Sequence, residues 1–463
     1  MYEFMVKKLV YPLTQRLIGR QTLAFLQSFE RTQFDPPEVI VARQWERLKA
    51  VLVHAYENVP YYRQTFNAIG LTPGDMRRPE DWNRIPLLSK DQVRTNSEAL
   101  IASGYGRRLI EVRTGGSTGT PLRHFATHEC AAADNASMWR ARRWWGIDIG
   151  DRAVHFWGHA ASFAPGWRGW RAKVLRPFRD LLMNRRVLSA YNMSESSMAH
   201  YWRILKTFRP RYILGHASSL FIFARFLKSK GIDGRQLALQ VVISTSEMLY
   251  PEQRKLIEEV FGCRVLNEYG ATEMGIIAYE CPEGNLHLMD DTLFVEVYKP
   301  EGAEEDDLGE VVVTQLYNMG APLIRYRLGD AARSISVGCA CGVGLRLLNG
   351  LSGRAHDLIV TPDGRYVHGE FFTHLFDQMR YVKKFQVIQE GLDWLSVLIV
   401  PDQPGAFIDE VFLRRHIQAK FGDNVSVEIR YVDEIPQERS GKYRWIVSRL
   451  PENTLELRSR DLS

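Results

Sequence analysis

Between Arg211 and Asn267 the chain alternates short apolar runs with amphipathic stretches, and this alternation constrains the fold more than any other feature. The apolar runs predict three strands, Arg211–Gly215, Leu239–Ser244 and Arg264–Asn267. The stretches between them predict helices over Ser218–Lys230, with Ser218 as N-cap and Gly231 as the stop, and over Tyr250–Phe261. A β-α-β-α-β order favours a parallel sheet with right-handed crossovers.

A polar segment follows the third predicted strand, and its position favours a binding site. Ligands of such sheets lie beyond the carboxyl ends of the strands. The segment Glu268-Tyr-Gly-Ala-Thr-Glu-Met-Gly275 contains two carboxylates and is predicted to be a loop.

The remaining pattern predicts a large and a small domain. Strands are predicted over Leu293–Tyr298 and Glu310–Gln315, before a change of texture near Arg354. Beyond it, the pattern predicts a β-β-α-β arrangement over Lys384–Gln389, Leu395–Val400, Phe407–Phe421 and Val425–Val432. We therefore expect an α/β protein with a large domain over residues 1–353, which combines parallel-sheet layers with a β-rich subdomain, and a small mobile α+β domain over 354–463.

The stretch Arg113-Thr-Gly-Gly-Ser-Thr-Gly-Thr-Pro-Leu122 has a composition suited to binding phosphate. Its glycines can bring backbone amides close to an anion, and its hydroxyls can donate to phosphate oxygens or face hydrated Mg²⁺. These residues are Thr114, Gly115, Gly116, Ser117, Thr118, Gly119 and Thr120. A simple turn rich in glycine and serine is the alternative, and the Walker pattern is missing.

Composition narrows the classes of partner. The 463 residues carry 60 basic and 54 acidic side chains, a balance too mild and too dispersed to indicate nucleic-acid binding. The sequence lacks an uncharged apolar run of about eighteen residues, so we expect no transmembrane helix. The amphipathic segment Met1–Phe29 leaves two alternatives open, a helix on a membrane surface and a helix packed on its own domain. Five cysteines, an odd number, favour a reducing and cytoplasmic compartment.

Two further clusters carry separate predictions. The aromatics of Trp139-Arg-Ala-Arg-Arg-Trp-Trp145 are expected to pack in a core or line an apolar pocket, with the arginines in solvent. Three thiols and one imidazole, those of Cys281, His287, Cys339 and Cys341, form a set suited to a structural tetrahedral zinc, with four unrelated loop residues as the alternative. Cys130 and Cys263 are expected to be buried and unreactive.

Five motifs, in order, are similar to those of adenylate-forming enzymes. They are Thr114–Pro121, Tyr269-Gly-Ala-Thr-Glu273, Arg325-Tyr-Arg-Leu-Gly-Asp330, Gly353-Arg354 and Ser440-Gly-Lys442. The chain resembles the branch of phenylacetate–CoA ligases and CapK-like proteins over essentially its whole length. The stretches Asn58-Val-Pro-Tyr-Tyr62 and Ile85-Pro-Leu-Leu-Ser-Lys90 add to this resemblance.

The resemblance implies a two-step reaction, in which ATP and a small carboxylic acid form an acyl-adenylate and coenzyme A then takes the acyl group. It implies that Glu273 binds Mg²⁺ and that Thr272 approaches the α-phosphate. It places Tyr269 against adenine and Asp330 on the ribose hydroxyls. Nucleotide contacts are also implied for Ser246, Glu247, Glu268 and Gly270. Relatives of this branch with a structural zinc support the zinc prediction.

Two further residues receive catalytic roles from the resemblance. Lys442 is implied to bridge the carboxylate and the α-phosphate, and Arg354 to approach the ribose or the α-phosphate near a hinge. The sequence departs from the pattern at Thr120, where many relatives carry lysine, and at His356, where an aspartate is common.

The leading hypothesis is an acid–CoA ligase for an aromatic or other apolar acid, with Trp139–Trp170 and the surroundings of His216 as candidates for the acyl pocket. The first alternative passes the acyl group to an amine or hydroxyl, as in polysaccharide or secondary-metabolite biosynthesis. The second is a non-catalytic nucleotide-binding or scaffold protein. The sequence names neither the acid nor the oligomeric state.

Overall fold

The chain divides into two compact units, each assembled from separate segments. The computed structural model describes residues 2–106, 109–113, 122–157, 178–190, 193–299, 309–351, 359–363, 366–367, 370–376, 378–379, 381–403, 405, 408–435 and 446–450. The first unit comprises Met1–Thr114, Leu122–Gly150 and Leu266–Gly353, and the second comprises Gly115–Pro121, Asp151–Val265 and Arg354–Ser463.

The described elements follow one another in this order along the chain. The α-helices are α1 Tyr2–Met5, α2 Tyr11–Leu17, α3 Thr22–Thr32, α4 Pro37–Asn58, α5 Pro60–Ala68, α6 Lys90–Thr95, α7 His128–Arg143, α8 Glu195–Phe208, α9 Ala217–Ser229, α10 Pro251–Phe261, α11 Glu370–Phe376 and α12 Glu410–Phe421. The strands are β1 Ile110–Arg113, β2 Arg123–Ala126, β3 Ala153–Trp157, β4 Arg185–Ser189, β5 Tyr212–His216, β6 Val241–Thr245, β7 Val265–Ala271, β8 Gly275–Glu280, β9 Leu286–Leu288, β10 Leu293–Tyr298, β11 Gly309–Gln315, β12 Tyr326–Ala332, β13 Ser334–Ser336, β14 Leu347–Asn349, β15 Ile359–Val360, β16 Tyr366–Val367, β17 Val382–Gly391, β18 Trp394–Pro401, β19 Ser426–Tyr431 and β20 Ile446–Ser448.

The second unit contains the predicted parallel sheet. Strands β4, β3, β5 and β6 pair in parallel, and every residue of β5 and β6 is buried. Burial from both faces explains why these strands are continuous apolar runs. Helices α8, α9 and α10 supply a shared apolar core with the strands. The predicted strands are confirmed, and α10 ends at Phe261 as predicted, followed by Gly262 with φ of 67°.

One predicted helix start is wrong. Helix α9 begins at Ala217 with His216 as N-cap, so Ser218 lies in the first turn. The Ser218 backbone N–H donates to Glu247 at 2.8 Å, and its hydroxyl donates to the same carboxylate at 3.1 Å. A carboxylate from outside the helix therefore satisfies the N-terminal amide that we expected a serine cap to serve.

The first unit is built from helices and antiparallel strands, and it corrects the prediction of a loop after the third strand. Strand β7 continues to Ala271 and forms a hairpin with β8, in which Glu268 pairs with Tyr279. The tight turn Thr272–Met274 offers no Asn-Gly or Asp-Gly signal, which explains why the sequence did not reveal the hairpin. Strands β10, β11 and β12 form a separate antiparallel sheet. The first two correspond to the strands predicted over Leu293–Tyr298 and Glu310–Gln315.

The C-terminal segment forms a four-stranded sheet in the order β19-β18-β17-β20. The hairpin β17–β18 is antiparallel, and β19, which follows α12, pairs in parallel with β18. The predicted β-β-α-β arrangement is confirmed. Its apolar residues form a core that includes Phe385, Leu413 and Phe421.

Helix α7 holds the basic aromatic stretch, and two of its arginines are buried. Arg140 pairs with Asp291, and Arg142 pairs with Glu268 at 3.2 Å. The prediction of solvated arginines is wrong at these two positions, because buried carboxylates compensate their charge. The prediction that the aromatics pack in a core fits Trp145, whose indole N–H donates to the Glu280 carbonyl at 2.7 Å.

Candidate functional site

The hairpin β7–β8 contacts strand β12 through two side-chain hydrogen bonds. The Tyr269 hydroxyl donates to Asp330 Oδ2 at 3.0 Å, and the Tyr326 hydroxyl donates to Glu273 Oε1 at 3.0 Å. Because Tyr326 and Asp330 belong to one strand, the contacts hold Glu273 and Asp330 beside the same element. The structure thus brings together the predicted adenine, ribose and magnesium residues of the first unit.

Glu273 is held from its backbone as well as from its side chain. Gln315 Nε2 donates to the Glu273 carbonyl at 2.9 Å, and Asn318 Nδ2 donates to Gln315 Oε1 at 2.9 Å. Asn318 also donates to the Phe125 carbonyl at 2.9 Å. This buried amide chain fixes the turn, so the Glu273 carboxylate has a defined position before any ligand binds.

His124 lies beside Glu273 and is almost fully buried. Burial lowers the pKa of His124 to about 4, although the neighbouring Glu273 acts in the opposite direction. The imidazole is therefore neutral near pH 7. A neutral imidazole forms no ion pair with Glu273, so the charge of this carboxylate can be compensated by another cation.

The hairpin turn is braced by Asp134 from helix α7. The Ile276 backbone N–H donates to Asp134 Oδ1 at 2.9 Å, and burial raises the pKa of Asp134 to about 6. Gly275 has φ of 74°, and a Cβ on it would overlap the Asp134 carboxylate. A Cβ on Gly270 would lie 2.7 Å from the Gly275 carbonyl oxygen. Close backbone packing therefore requires glycine at 270, whereas the positive φ and the adjacent Asp134 carboxylate require it at 275.

Four other predicted nucleotide residues lie within the described chain. Glu268 is buried in its ion pair with Arg142. Glu247 accepts the hydrogen bonds from Ser218 at the start of α9. Ser246 is exposed and has φ of 69°, a left-handed conformation unusual for a residue with a side chain. Thr272 lies at the tip of the hairpin. Their contacts with a nucleotide remain predictions.

Arg325 joins two of the motifs that the sequence singled out. Its guanidinium pairs with Glu296 at 2.9 Å and donates to the Ile85 carbonyl at 2.6 Å. The Leu88 N–H donates to the Arg325 carbonyl at 2.9 Å. Arg325 therefore anchors the segment that starts at Ile85 to the beginning of β12, the strand that carries Asp330.

Several predicted residues lie outside the described part of the chain. They are the phosphate-loop residues Thr114, Gly115, Gly116, Ser117, Thr118, Gly119 and Thr120, together with Arg354, His356 and Lys442. Their roles rest on the sequence motifs.

Cys281, His287, Cys339 and Cys341 come together in the first unit. Their ligand atoms all lie within 4.8 Å of one another. Cys281 Sγ is 3.7 Å from Cys339 Sγ, close to the edge of about 3.8 Å that two thiolates span on a tetrahedral zinc. His287 Nε2 lies 3.2 Å from Cys341 Sγ, and its Nδ1 lies 2.9 Å from the Leu345 carbonyl oxygen. The carbonyl places the ring proton on Nδ1 and leaves Nε2 to face the thiols.

Trp167 and Trp170 lie outside the described chain, and the other aromatic candidates for an acyl pocket include members of two separate clusters. Trp144 donates to Gln33 at 2.7 Å and contacts the His287 ring, so it belongs to the packing around the thiol cluster. Trp157 stacks on the buried His216, with ring centroids 4.6 Å apart. The second group remains a prediction for acyl binding. Cys130 and Cys263 are half-buried, and burial raises the pKa of each thiol to about 12.

Sequence reasoning missed four residues that hold or border the hairpin turn: His124, Asp134, Gln315 and Asn318. Their partners are distant along the chain, and a lone amide or imidazole carries no local pattern. Tyr326 was within reach, because it lies inside the Arg325–Asp330 motif.

Comparisons with known proteins agree with the resemblance. The family model of the CapK C-terminal domain matches residues 359–449. The phenylacetate–coenzyme A ligase of Thermus thermophilus is 24% identical over 456 residues, covering 89% of this chain and 97% of that protein. Protein CapK of Staphylococcus aureus is 23% identical over 377 residues, covering 80% of each chain.

A solved structure has the same fold. The 2-hydroxyisobutyryl-CoA ligase, in complex with 2-HIB-AMP and CoA in its thioesterification state, aligns with a TM-score of 0.62 at 20% identity over 94% of each chain. The resemblance to the branch of phenylacetate–CoA ligases and CapK-like proteins, and the predicted fold class, are confirmed. Among the described residues, no helix is both long and apolar enough to cross a membrane.

Proposed function

We propose that this chain, a relative of phenylacetate–coenzyme A ligases and CapK, is an AMP-forming acid–CoA ligase. It activates a carboxylic acid with ATP and transfers the acyl group to coenzyme A. The observation that carries the proposal is the similarity along nearly the whole length of a phenylacetate–coenzyme A ligase. The contacts of Tyr269 with Asp330 and of Tyr326 with Glu273 support it.

Asp330 is proposed to accept the ribose hydroxyls, with Tyr269 against adenine. A carboxylate accepts about four hydrogen bonds, so the bond from Tyr269 is compatible with two more from a ribose. That bond also fixes the orientation of the tyrosine ring relative to the carboxylate. Tyr269 therefore couples the proposed adenine and ribose contacts.

Glu273 is proposed to bind Mg²⁺ bound to ATP. A carboxylate oxygen suits this hard cation, and the neutral His124 beside it does not compete for the charge. Magnesium supplies compensation for the negative charge of the triphosphate. Tyr326 and Gln315 keep the carboxylate in place through the contacts described above.

The remaining roles rest on sequence motifs. The loop from Thr114 to Thr120 is proposed to hold the β- and γ-phosphates, with Ser246 and Glu247 near adenine. Lys442 is proposed to bridge the carboxylate and the α-phosphate, because a lysine on a small domain can enter for adenylation and leave afterwards. The small domain is proposed to span residues 354–463, with Arg354 near its hinge.

The thiol cluster is proposed to hold a structural zinc. Three thiolates and one imidazole complete a tetrahedral set, which leaves no position for substrate. The metal would tie β9 to the loop that carries Cys339 and Cys341. None of the five cysteines, all of which the structure describes, forms a disulfide bond, which is compatible with the reducing, cytoplasmic location that we propose.

The proposed substrate is an aromatic or other apolar acid. The stacked pair of Trp157 and His216 is proposed to line part of the pocket that binds its acyl group. Transfer to an amine or hydroxyl is the second candidate, favoured by the match of residues 359–449 to the CapK model. Mass spectrometry after incubation with ATP and a pool of acids, with and without coenzyme A, separates the candidates. Acyl-CoA supports the first, whereas an acyl-adenylate that coenzyme A does not consume contradicts it.

A further inference from the structure

The first helical segment presents an apolar row to solvent. Met5, Leu9, Leu13 and Leu17 recur every fourth residue, and the three leucines are 65%, 58% and 76% exposed. Phe4, beside this row, is 67% exposed. Because a contiguous apolar surface of this kind is uncommon on a monomer, it indicates a contact with another apolar phase or protein. We call these five residues the apolar ridge.

A π-helical turn keeps the ridge straight. Helices α1 and α2 are joined by the π-helix Val6–Val10, in which the Tyr11 N–H donates to the Val6 carbonyl. In an α-helix, positions four apart advance by about 40° per step, so a long row drifts around the axis. The wider turn winds more slowly and offsets this drift. Pro12, which cannot donate to the carbonyl four residues before it, explains why the turn occurs here.

The opposite face of the segment is fixed to the first unit. Val6 and Tyr11 are buried, and Tyr11 contacts the Trp139 ring edge-on at 6.3 Å. Lys7 pairs with Asp148. A Cβ on Gly150 would lie 2.5 Å from the Glu3 carbonyl oxygen, so the helix backbone rests directly on that glycine. The helix therefore cannot turn its ridge inward.

Positive charges border the ridge. Besides Lys7, which pairs with Asp148 on the opposite face, residues 2–20 contain three cations, Lys8, Arg16 and Arg20, and a single carboxylate, Glu3. Lys8 and Arg16 each lie one position before a leucine of the ridge. A helix with cations along one edge of an apolar face has the properties of a helix lying in the plane of an anionic bilayer. A symmetric pair of ridges from two copies would instead bring like charges together.

We propose that the apolar ridge docks this protein reversibly on the surface of membranes that contain anionic phospholipids. The ridge enters the boundary between headgroups and acyl chains, and Lys8 and Arg16 contact lipid phosphates. The binding does not depend on the proposed enzymatic activity, so either can fail without the other.

Co-sedimentation of the full chain with vesicles tests this proposal. Phosphatidylcholine vesicles that contain phosphatidylglycerol should bind the protein, less so at high salt, while pure phosphatidylcholine should bind it far more weakly. Leu9→Ser, Leu13→Ser and Leu17→Ser together should weaken binding by more than about a hundredfold. Lys8→Gln with Arg16→Gln should weaken it by about thirtyfold at low salt.

A matched control replaces three exposed apolar residues elsewhere, Phe34→Ser, Val337→Ser and Val411→Ser, and should bind like the wild type. Equal binding by the ridge variant and this control overturns the proposal, as does an absence of binding to anionic vesicles. Sedimentation velocity without lipid adds a third arm. A dimer that the ridge variant dissociates would assign the ridge to a second copy and also overturn the proposal.

Discussion

Replacement of Gly275 by alanine tests the brace beneath the hairpin turn. The backbone at Gly275 has φ of 74°, which costs a residue with a side chain about 1–2 kcal/mol. The new Cβ would also overlap the Asp134 carboxylate, which must move and release the Ile276 N–H. Loss of that partly buried hydrogen bond adds about 1–3 kcal/mol. We therefore expect Gly275→Ala to lower the free energy of unfolding by about 2–5 kcal/mol.

Two comparisons isolate the overlap from the backbone strain. Gly104 has φ of 84° and open space around its Cβ position, so Gly104→Ala should cost only about 1–2 kcal/mol. In an Asp134→Ala background the overlap is already absent, so Gly275→Ala should also cost only that amount. Urea denaturation of the four members of this cycle measures the coupling. An equal cost of Gly275→Ala in both backgrounds would show that the new side chain does not clash with Asp134.

Three further predictions concern the site and the thiol cluster. The folded state holds His124 with a pKa of about 4, below its usual 6.5, so the unfolded chain binds a proton first as the pH falls. Between pH 6.5 and 4, the wild type should therefore lose about 3 kcal/mol of unfolding free energy relative to His124→Gln. Parallel curves of stability against pH for the two proteins would contradict this prediction. Asp330→Asn should raise the KM for ATP more than about tenfold in acid-dependent exchange of pyrophosphate into ATP, because an amide oxygen accepts hydrogen bonds from the ribose hydroxyls more weakly than a carboxylate does. An unchanged KM would show that Asp330 does not bind the nucleotide. Elemental analysis should find about one zinc per chain, lost in Cys341→Ser but retained in Cys263→Ser, and a metal-free wild type would contradict the zinc proposal.

The sequence predicted those parts of the fold that local pattern determines. Strands β5 and β6 were visible because burial on both faces makes them continuously apolar. Strands β17 and β18 were predicted because each corresponds to a run of alternating apolar and polar residues. The hairpin β7–β8 was missed, since its turn residues give no signal and its conformation depends on Asp134.

Ion pairs between residues distant in sequence were the second feature that the sequence could not predict. Arg140 and Arg142 looked solvated, because their partners Asp291 and Glu268 lie more than a hundred positions away in sequence. In the candidate site, too, the residues within local motifs were predicted and their distant partners were not. The motifs named Tyr269, Glu273 and Asp330, whereas most of the residues that hold them in place came only from the structure.

Acid-dependent exchange of pyrophosphate into ATP shows whether this chain forms an acyl-adenylate. We expect exchange that requires both magnesium and a carboxylic acid, proceeds without coenzyme A, and is lost in Lys442→Ala while ATP binding persists. Binding of ATP without exchange for any acid in a broad pool, or full exchange in Lys442→Ala, would contradict it.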